Sequence, residues 1–376
     1  VADLTTPIEL LLPPILKVGP GTITAVGDFA RARGVARTLV VADAFNAMRV
    51  GLLDLPAEVA VFAEVVPEPD IPNLEKALAA ARAVKPELVV GFGGGSAMDL
   101  AKLVAVLWNA EVSIRDVVGP DRAPRRTTAL VQASTTSGTG SEVGIRALVT
   151  DPTTSNKLAV QSRELLADLA VVDAALTATV PARITAETGV DALAHCAEAY
   201  TNVRAHPLID LYALEGIRLV GRFLARAVAD GSDTEARAGL ALASLYGGIC
   251  LGPVNTHAGH AVAYPLGTRH HIPHGAANAV IFPHVLAYNA PAAPERTARI
   301  LEALGLAPSS DPATVLEAAT AWCLSLGIEM RMSARGVPEA DLPKMAEEAA
   351  AIRRLLDNNP REIGRDDILA MYRTAF

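Results

Sequence analysis

Leu88-Val89-Val90-Gly91-Phe92-Gly93-Gly94-Gly95-Ser96-Ala97-Met98-Asp99-Leu100-Ala101-Lys102 reads as a hydrophobic strand that runs through three glycines straight into a helix. Glycines there let a ligand approach the backbone and leave its amides bare. The helix start adds the positive end of its dipole, so the turn is equipped to hold an anion such as a phosphate. Ser96 offers a further hydroxyl donor, and Asp99 can cap or order the turn. The spacing matches neither GxGxxG nor GxxxxGK[ST], and plain tight turns also use consecutive glycines.

Working outward, short β-branched runs alternate with helical stretches up to about residue 180. Strands are expected at Thr38–Ala42, Val59–Val65, Leu88–Phe92, Thr128–Ala133 and Leu169–Asp173, and helices at Ile23–Arg33, Asn73–Val84 and Ala97–Trp108. Apolar runs without alternation predict strands covered on both faces, hence a largely parallel sheet between helices. After Pro181 the β-branched runs nearly vanish, and Ala-, Leu- and Glu-rich stretches such as Asp210–Ala229, Glu235–Cys250 and Leu342–Asp357 predict helices. The expected organisation is an α/β domain over residues 1–180 and an all-α domain over residues 181–376. Asp43 follows a strand, where a carboxylate can accept both ribose hydroxyls of an adenosine and repel a 2′-phosphate, favouring NAD over NADP, or simply occupy an exposed turn. Ser134 to Glu142 is a run of hydroxyls and glycines that could hold phosphate or ribose oxygens, or form a solvated turn.

The 376 residues are 51% hydrophobic and 20% charged, which excludes a disordered chain. The net charge of −8 and the absence of a basic tract exclude nucleic acid and anionic membrane as partners and leave small molecules. Cys196, Cys250 and Cys323 are scattered and odd in number, as for free thiols in a reducing compartment. The apolar N-terminal stretch lacks a basic flank and is broken by Glu9, Pro13 and Pro14, so the expectation is a cytoplasmic protein. Ala238 to Thr268 has no charged residue and is long enough to span a bilayer. Its glycines, prolines, histidines and asparagine make it a buried helix followed by a polar site instead.

Asp191 and His195 are four residues apart on an expected helix, which puts carboxylate and imidazole on one face. Five further histidines, His257, His260, His270, His271 and His274, crowd one later stretch, leaving only His206 and His284 of the eight outside. A carboxylate with three neutral imidazoles suits Fe²⁺ or Zn²⁺ and poorly suits Mg²⁺ or Ca²⁺. Spacing alone does not choose among the five.

These motifs together resemble the iron-containing (group III) metal-dependent alcohol dehydrogenases. The likeness runs nearly end to end, through Gly19-Pro20-Gly21, Gly93 to Lys102, Thr135 to Glu142, Asp191 to His195, His260 to His274, Asn278-Ala279, Pro283-His284 and Asn359-Pro360-Arg361. It implies a Rossmann-like dinucleotide-binding α/β domain, then an all-α metal-binding domain, an architecture shared with dehydroquinate synthase. The family's metal ligands fall on Asp191, His195, His260 and His274, and its pyrophosphate loop on Gly93, Gly94, Gly95 and Ser96, followed by Asp99. Thr135, Thr136 and Thr139 match its hydroxyl cluster near the nicotinamide, Lys157 a lysine reaching the nicotinamide ribose, and Asp43 the acidic residue selecting NAD. A family histidine four residues after the third ligand, associated with proton relay, is Tyr264 here, so His260 and Tyr264 are the catalytic candidates. Ser134 also replaces a usual proline.

The implied activity is NAD(H)-linked interconversion of a small alcohol or hydroxy acid and its aldehyde or ketone, in a dimer or larger homo-oligomer. A lyase or cyclase of the dehydroquinate synthase type, using NAD transiently, and a catalytically silent NAD-binding protein are the competing readings. Arg269, with His270 or His271, either lines the substrate end and favours a carboxylate or polyol, or is an exposed loop arginine.

Overall fold

The computed structural model describes residues 4–376 apart from Ala57 and Ser155. It divides into two compact units, one of Leu10–Ala178 and one of Thr179–Phe376 with the N-terminal segment through Glu9. The sequence-based division keeps that segment with the α/β half. In the structure it lies with the helices, where Thr6 O meets His206 Nε2 at 3.0 Å.

Among the described residues, the α/β unit holds nine strands: β1 (Ile15–Val18), β2 (Arg37–Ala42), β3 (Glu58–Phe62), β4 (Leu88–Gly93), β5 (Gly119–Pro120), β6 (Ala129–Ser134), β7 (Arg146–Asp151), β8 (Asn156–Gln161) and β9 (Leu169–Val172). Six of them form a wholly parallel sheet in the order β1-β9-β6-β4-β2-β3. Helices α1 (Ala25–Ala32), α2 (Ala44–Ala47), α3 (Ile71–Val84) and α4 (Gly95–Leu107) connect its strands. Side chains alternate between the faces of a strand. Leu39, Val41 and Val89 accordingly pack with residues of α3 and α4, while Val40, Val90 and Phe92 pack with residues of α1. Both faces are covered, which is why β4 is buried at every position.

The chain runs from β2 to β3 on one side and then places β4 on the other side of β2. That reversal makes a topological switch point between β2 and β4, where open α/β sheets present their ligand sites. Register finishes the placement. Ala42 pairs with Phe92 and Gly93 with Ser134, so the residues just beyond β2, β4 and β6 emerge side by side.

The sequence reading missed β1 and the second sheet, in which β7 and β8 are antiparallel and β5 joins β8. β7 is half-buried in strict alternation, and polar residues at the ends of both strands mask the run.

In the helical unit, α5 (Ala182–Thr201) packs against α6 (Pro207–Ala229), α7 (Thr234–Leu251) and α9 (His274–Asn289), and α8 (Ala258–His270) packs against α9. α5 is buried on nearly every side, as a central helix must be. Leu342–Asp357 is not one helix: it breaks into Leu342–Ala350 and Arg353–Leu356, with Ile352 at φ −82° and ψ 57°. Cys196, Cys250 and Cys323 are free and buried. Among the described residues, no helix is long and apolar enough to cross a membrane.

Candidate functional site

Three helices bring four side chains to one point. Asp191 and His195 stand one turn apart on α5, His260 on the first turn of α8, and His274 opens α9. One ligand atom from each lies within 4.8 Å of all the others. The Nε2 atoms of His195, His260 and His274 are 3.9, 3.7 and 3.6 Å from the same oxygen, Asp191 Oδ1. These separations are too long for hydrogen bonds. They approach the edge of a tetrahedron around an ion with bonds of about 2.1 Å, which is about 3.4 Å. His260 Nε2 is buried without a hydrogen-bond partner, a costly state unless a cation takes its lone pair. The donor set and its spacing therefore fit Fe²⁺ or Zn²⁺.

The electrostatics agree. Burial pushes the Asp191 carboxyl up, but the three imidazoles and the Asn278 amide more than offset it and hold it below its ordinary value. Burial drives the His195 imidazole down to about 4, leaving it neutral as a ligand must be. Asn278, one turn after His274, donates from Nδ2 to Asp191 Oδ1 at 2.7 Å and lies 3.1 Å from His274 Nε2.

Sequence reasoning missed Glu198, one turn beyond His195 on the same face of α5. Its Oε1 is 2.6 Å from His260 Nδ1, and its Oε2 accepts from His257 N at 2.7 Å. Burial opposes its charge, yet His260 and His257 hold it down at about 2. A carboxylate on Nδ1 fixes the tautomer and turns Nε2 toward the ion. Close approach requires Gly259, since a Cβ there would stand 2.5 Å from Glu198 Oε1. We expect Glu198→Gln to weaken metal affinity by about 10- to 100-fold, read by competition with a chromogenic chelator. His257, which spacing alone left open, bonds Thr201 Oγ1 at 2.9 Å and is not in the cluster. His206 caps α6, its Nδ1 accepting from Leu208 N at 3.1 Å.

At the switch point the structure gathers the cradle residues. Thr135 N donates to Gly93 O at 3.0 Å. A Cβ on Gly94 would lie 3.1 Å from Thr136 Oγ1, and one on Gly95 2.6 Å from Thr139 Cγ2, so the two threonines stand over the bare backbone. Asp43 caps α2 through Phe45 N and Asn46 N, and its Oδ2 accepts from Asn46 Nδ2 at 2.7 Å. Asn46, unremarked in the sequence reading, also reaches Thr135 Oγ1 at 3.3 Å and so ties the ends of β2 and β6 together.

Other candidates take supporting positions. Asp99 Oδ1 accepts from Ser141 Oγ at 2.5 Å and Oδ2 from Leu148 N at 2.9 Å, so this carboxylate orders the hydroxyl segment. Buried Lys102 meets the same Ser141 Oγ at 2.7 Å. Lys157 pairs with Glu68, whose backbone N donates to Ser96 Oγ at 3.2 Å. Arg269 departs from expectation: it pairs with Glu348 at 2.8 Å, and His270 lies 3.4 Å from Asp341. Both turn to the Leu342–Ala350 side of α8, because the last turn of that helix rotates them away from His260. The cation beside Tyr264 is Arg354, at 3.4 Å from its hydroxyl.

Comparison with known proteins agrees with this geometry. Residues 13–174 match the family model of iron-containing alcohol dehydrogenase, and residues 185–376 that of the Fe-containing alcohol dehydrogenase family, C-terminal. The chain is 37% identical to long-chain-alcohol dehydrogenase 1 of Geobacillus thermodenitrificans over 98% of its length and 96% of the relative's. A crystal structure of 1,3-propanediol oxidoreductase superposes with a TM-score of 0.92 at 34% identity, covering 99% of this chain and all of that one. Sulfoacetaldehyde reductase from Bifidobacterium kashiwanohense, solved in complex with NAD⁺, gives 0.87 at 28% identity over 98% of this chain and 99% of that one. The chain belongs to the iron-containing alcohol dehydrogenase family. It is a metal-dependent oxidoreductase of alcohols and their carbonyl counterparts.

Proposed function

We propose that this chain interconverts a small alcohol or hydroxy acid and its aldehyde or ketone, with Asp191, His195, His260 and His274 holding Fe²⁺, or Zn²⁺ in its place. The observation that carries the reading is the convergence of three imidazole Nε2 atoms on one Asp191 oxygen. When bound, the metal supplies a Lewis acid for the substrate oxygen and NAD⁺ a hydride acceptor. Asp191 is the one anion of the ligand set, which keeps the site near +1 with a divalent ion. Glu198 orients His260. Tyr264, its ring centroid 6.1 Å from that of His274, offers a hydroxyl that can donate to the substrate oxygen and pass its proton on.

In the α/β unit, the amides of Gly93, Gly94, Gly95 and Ser96 and the start of α4 receive the pyrophosphate. Thr135, Thr136 and Thr139 supply hydroxyl donors beside it, and Asp99 keeps their segment in place through Ser141. Asp43 accepts ribose hydroxyls and repels a 2′-phosphate, so NAD is preferred to NADP. Lys157, held by Glu68 next to Ser96, is the cation for a ribose oxygen. We further propose a cytoplasmic dimer or larger homo-oligomer, acting on small molecules.

The test is net NADH formation by Fe²⁺-loaded protein with a panel of alcohols, diols and hydroxy acids, run beside NADP⁺ and a chelated control. Turnover with NAD⁺ that chelation abolishes is expected. Metal-loaded, NAD⁺-binding protein that forms no NADH, and oxidises none when offered the carbonyl compounds, would overturn the reading in favour of a cyclase.

A further inference from the structure

A partly exposed flank of the metal cluster carries an arginine that has no acidic partner among the described residues. His274 has 29% of its side chain exposed, against 2–4% for Asp191, His195 and His260, so a substrate must reach the cluster past His274. Tyr264 stands on that flank, and Arg354 stands on Tyr264: its guanidinium carbon is 5.7 Å from the ring centroid, and Nη2 donates to the hydroxyl at 3.4 Å. The break at Ile352 puts it there, because a continuous helix from Leu342 would carry residue 354 elsewhere.

Several other arginines of the helical unit pair with carboxylates: Arg353 with Asp357, Arg269 with Glu348, Arg335 with Glu187 and Arg365 with Asp366. Arg354 makes no ion pair among the described residues. A guanidinium is a planar fork of donors that matches the paired oxygens of a carboxylate or sulfonate. Beside the cluster it adds a positive charge that a neutral alkyl alcohol does nothing to balance.

We infer that Arg354 reads an anionic group on the substrate, a carboxylate or a sulfonate, so that the substrate is a short alcohol or aldehyde carrying such a group; this rests on the dehydrogenase reading above. Arg354 is thus a specificity-determining residue, with Tyr264 as its platform. The hydroxyl of Tyr264 accepts from Arg354 and keeps its own hydrogen for the substrate oxygen. The role expected of Arg269 from its place in the sequence falls to a residue 90 positions from Tyr264.

The experiment compares 4-oxobutanoate, 2-oxoethanesulfonate and butanal as substrates for NADH oxidation by the metal-loaded enzyme. Wild type is expected to prefer at least one of the anions to butanal, and the better anion says which oxyanion the site was shaped for. Arg354→Gln should lower kcat/KM for the preferred anion by about 100-fold, as for a lost charge-assisted hydrogen-bonded pair, while butanal changes less than about threefold. Arg354→Lys should restore part of the loss, and Arg353→Gln should leave the preference untouched. A readout without turnover accompanies these: the calorimetric dissociation constant of 4-hydroxybutanoate for metal-loaded, dinucleotide-free protein, or of 2-hydroxyethanesulfonate if the sulfonate is preferred. It should weaken in Arg354→Gln and hold in Arg353→Gln. Turnover of all three aldehydes without anion preference, or equal losses for anion and butanal in Arg354→Gln, overturns this inference and leaves the dehydrogenase reading standing. No turnover of any aldehyde, with no binding of the hydroxy compound, overturns both.

Discussion

Replacing Asp191 by Asn should leave the fold intact, empty the metal centre and reduce turnover by about a thousandfold or more. The substitution keeps the shape and removes the one negative charge toward which three imidazole nitrogens converge. Three neutral imidazoles and an amide offer a divalent cation no counter-charge, and the amide side chain can also present its hydrogens to the ion. Asn278, which now donates to Asp191 Oδ1, would face an amide in place of an anion and lose the charged character of that bond. Metal content by atomic absorption, measured with NADH formation on one preparation, decides the matter. A fully loaded but inactive variant would show that Asp191 acts on the chemistry without holding the ion.

Gly95→Ala is expected to weaken NAD⁺ binding by about 100-fold while leaving metal content unchanged. The new methyl would sit 2.6 Å from Thr139 Cγ2 and 2.9 Å from its Oγ1, and a threonine side chain is too short to swing clear. Either Thr139 moves, taking its hydroxyl out of place, or α4 shifts and its first amides lose their aim. The loss of one or two charge-assisted contacts, about 1.5–3 kcal/mol each, sets the size of the effect. Gly94→Ala should be milder, because its methyl meets Thr136 Oγ1 at 3.1 Å. Titration of NADH fluorescence gives the constants. Unchanged affinity in Gly95→Ala would mean that the pyrophosphate does not lie over this turn.

How much of this was legible beforehand depends on distance along the chain. β4, the glycines and α4 form one local pattern, and strands buried on both faces leave a plain apolar run. The metal ligands Asp191 and His195 announce themselves by helical spacing, but only the family likeness separated His260 from His257. Glu198 lay in plain view, seven residues after Asp191 on the same helix face, yet a single glutamate on an expected helix carries no signal until its partner's position is known. Asn46 on Thr135, Lys157 beside Glu68, and Arg354 beside Tyr264 depend on contacts 89 or 90 residues apart in sequence, which no local pattern encodes. β7 and β8 escaped because a half-buried hairpin with polar ends looks like a loop.

The ligand set also closes loops in the chain. Its four members come from three helices, and the first and last are 83 residues apart in sequence. An ion at their meeting point works as a rivet. Bound to the folded chain alone, it would stabilise that chain against unfolding by about 4 kcal/mol when free metal stands a thousandfold above its dissociation constant. Metal supply therefore governs how long the protein survives heat and proteases as well as how fast it turns over.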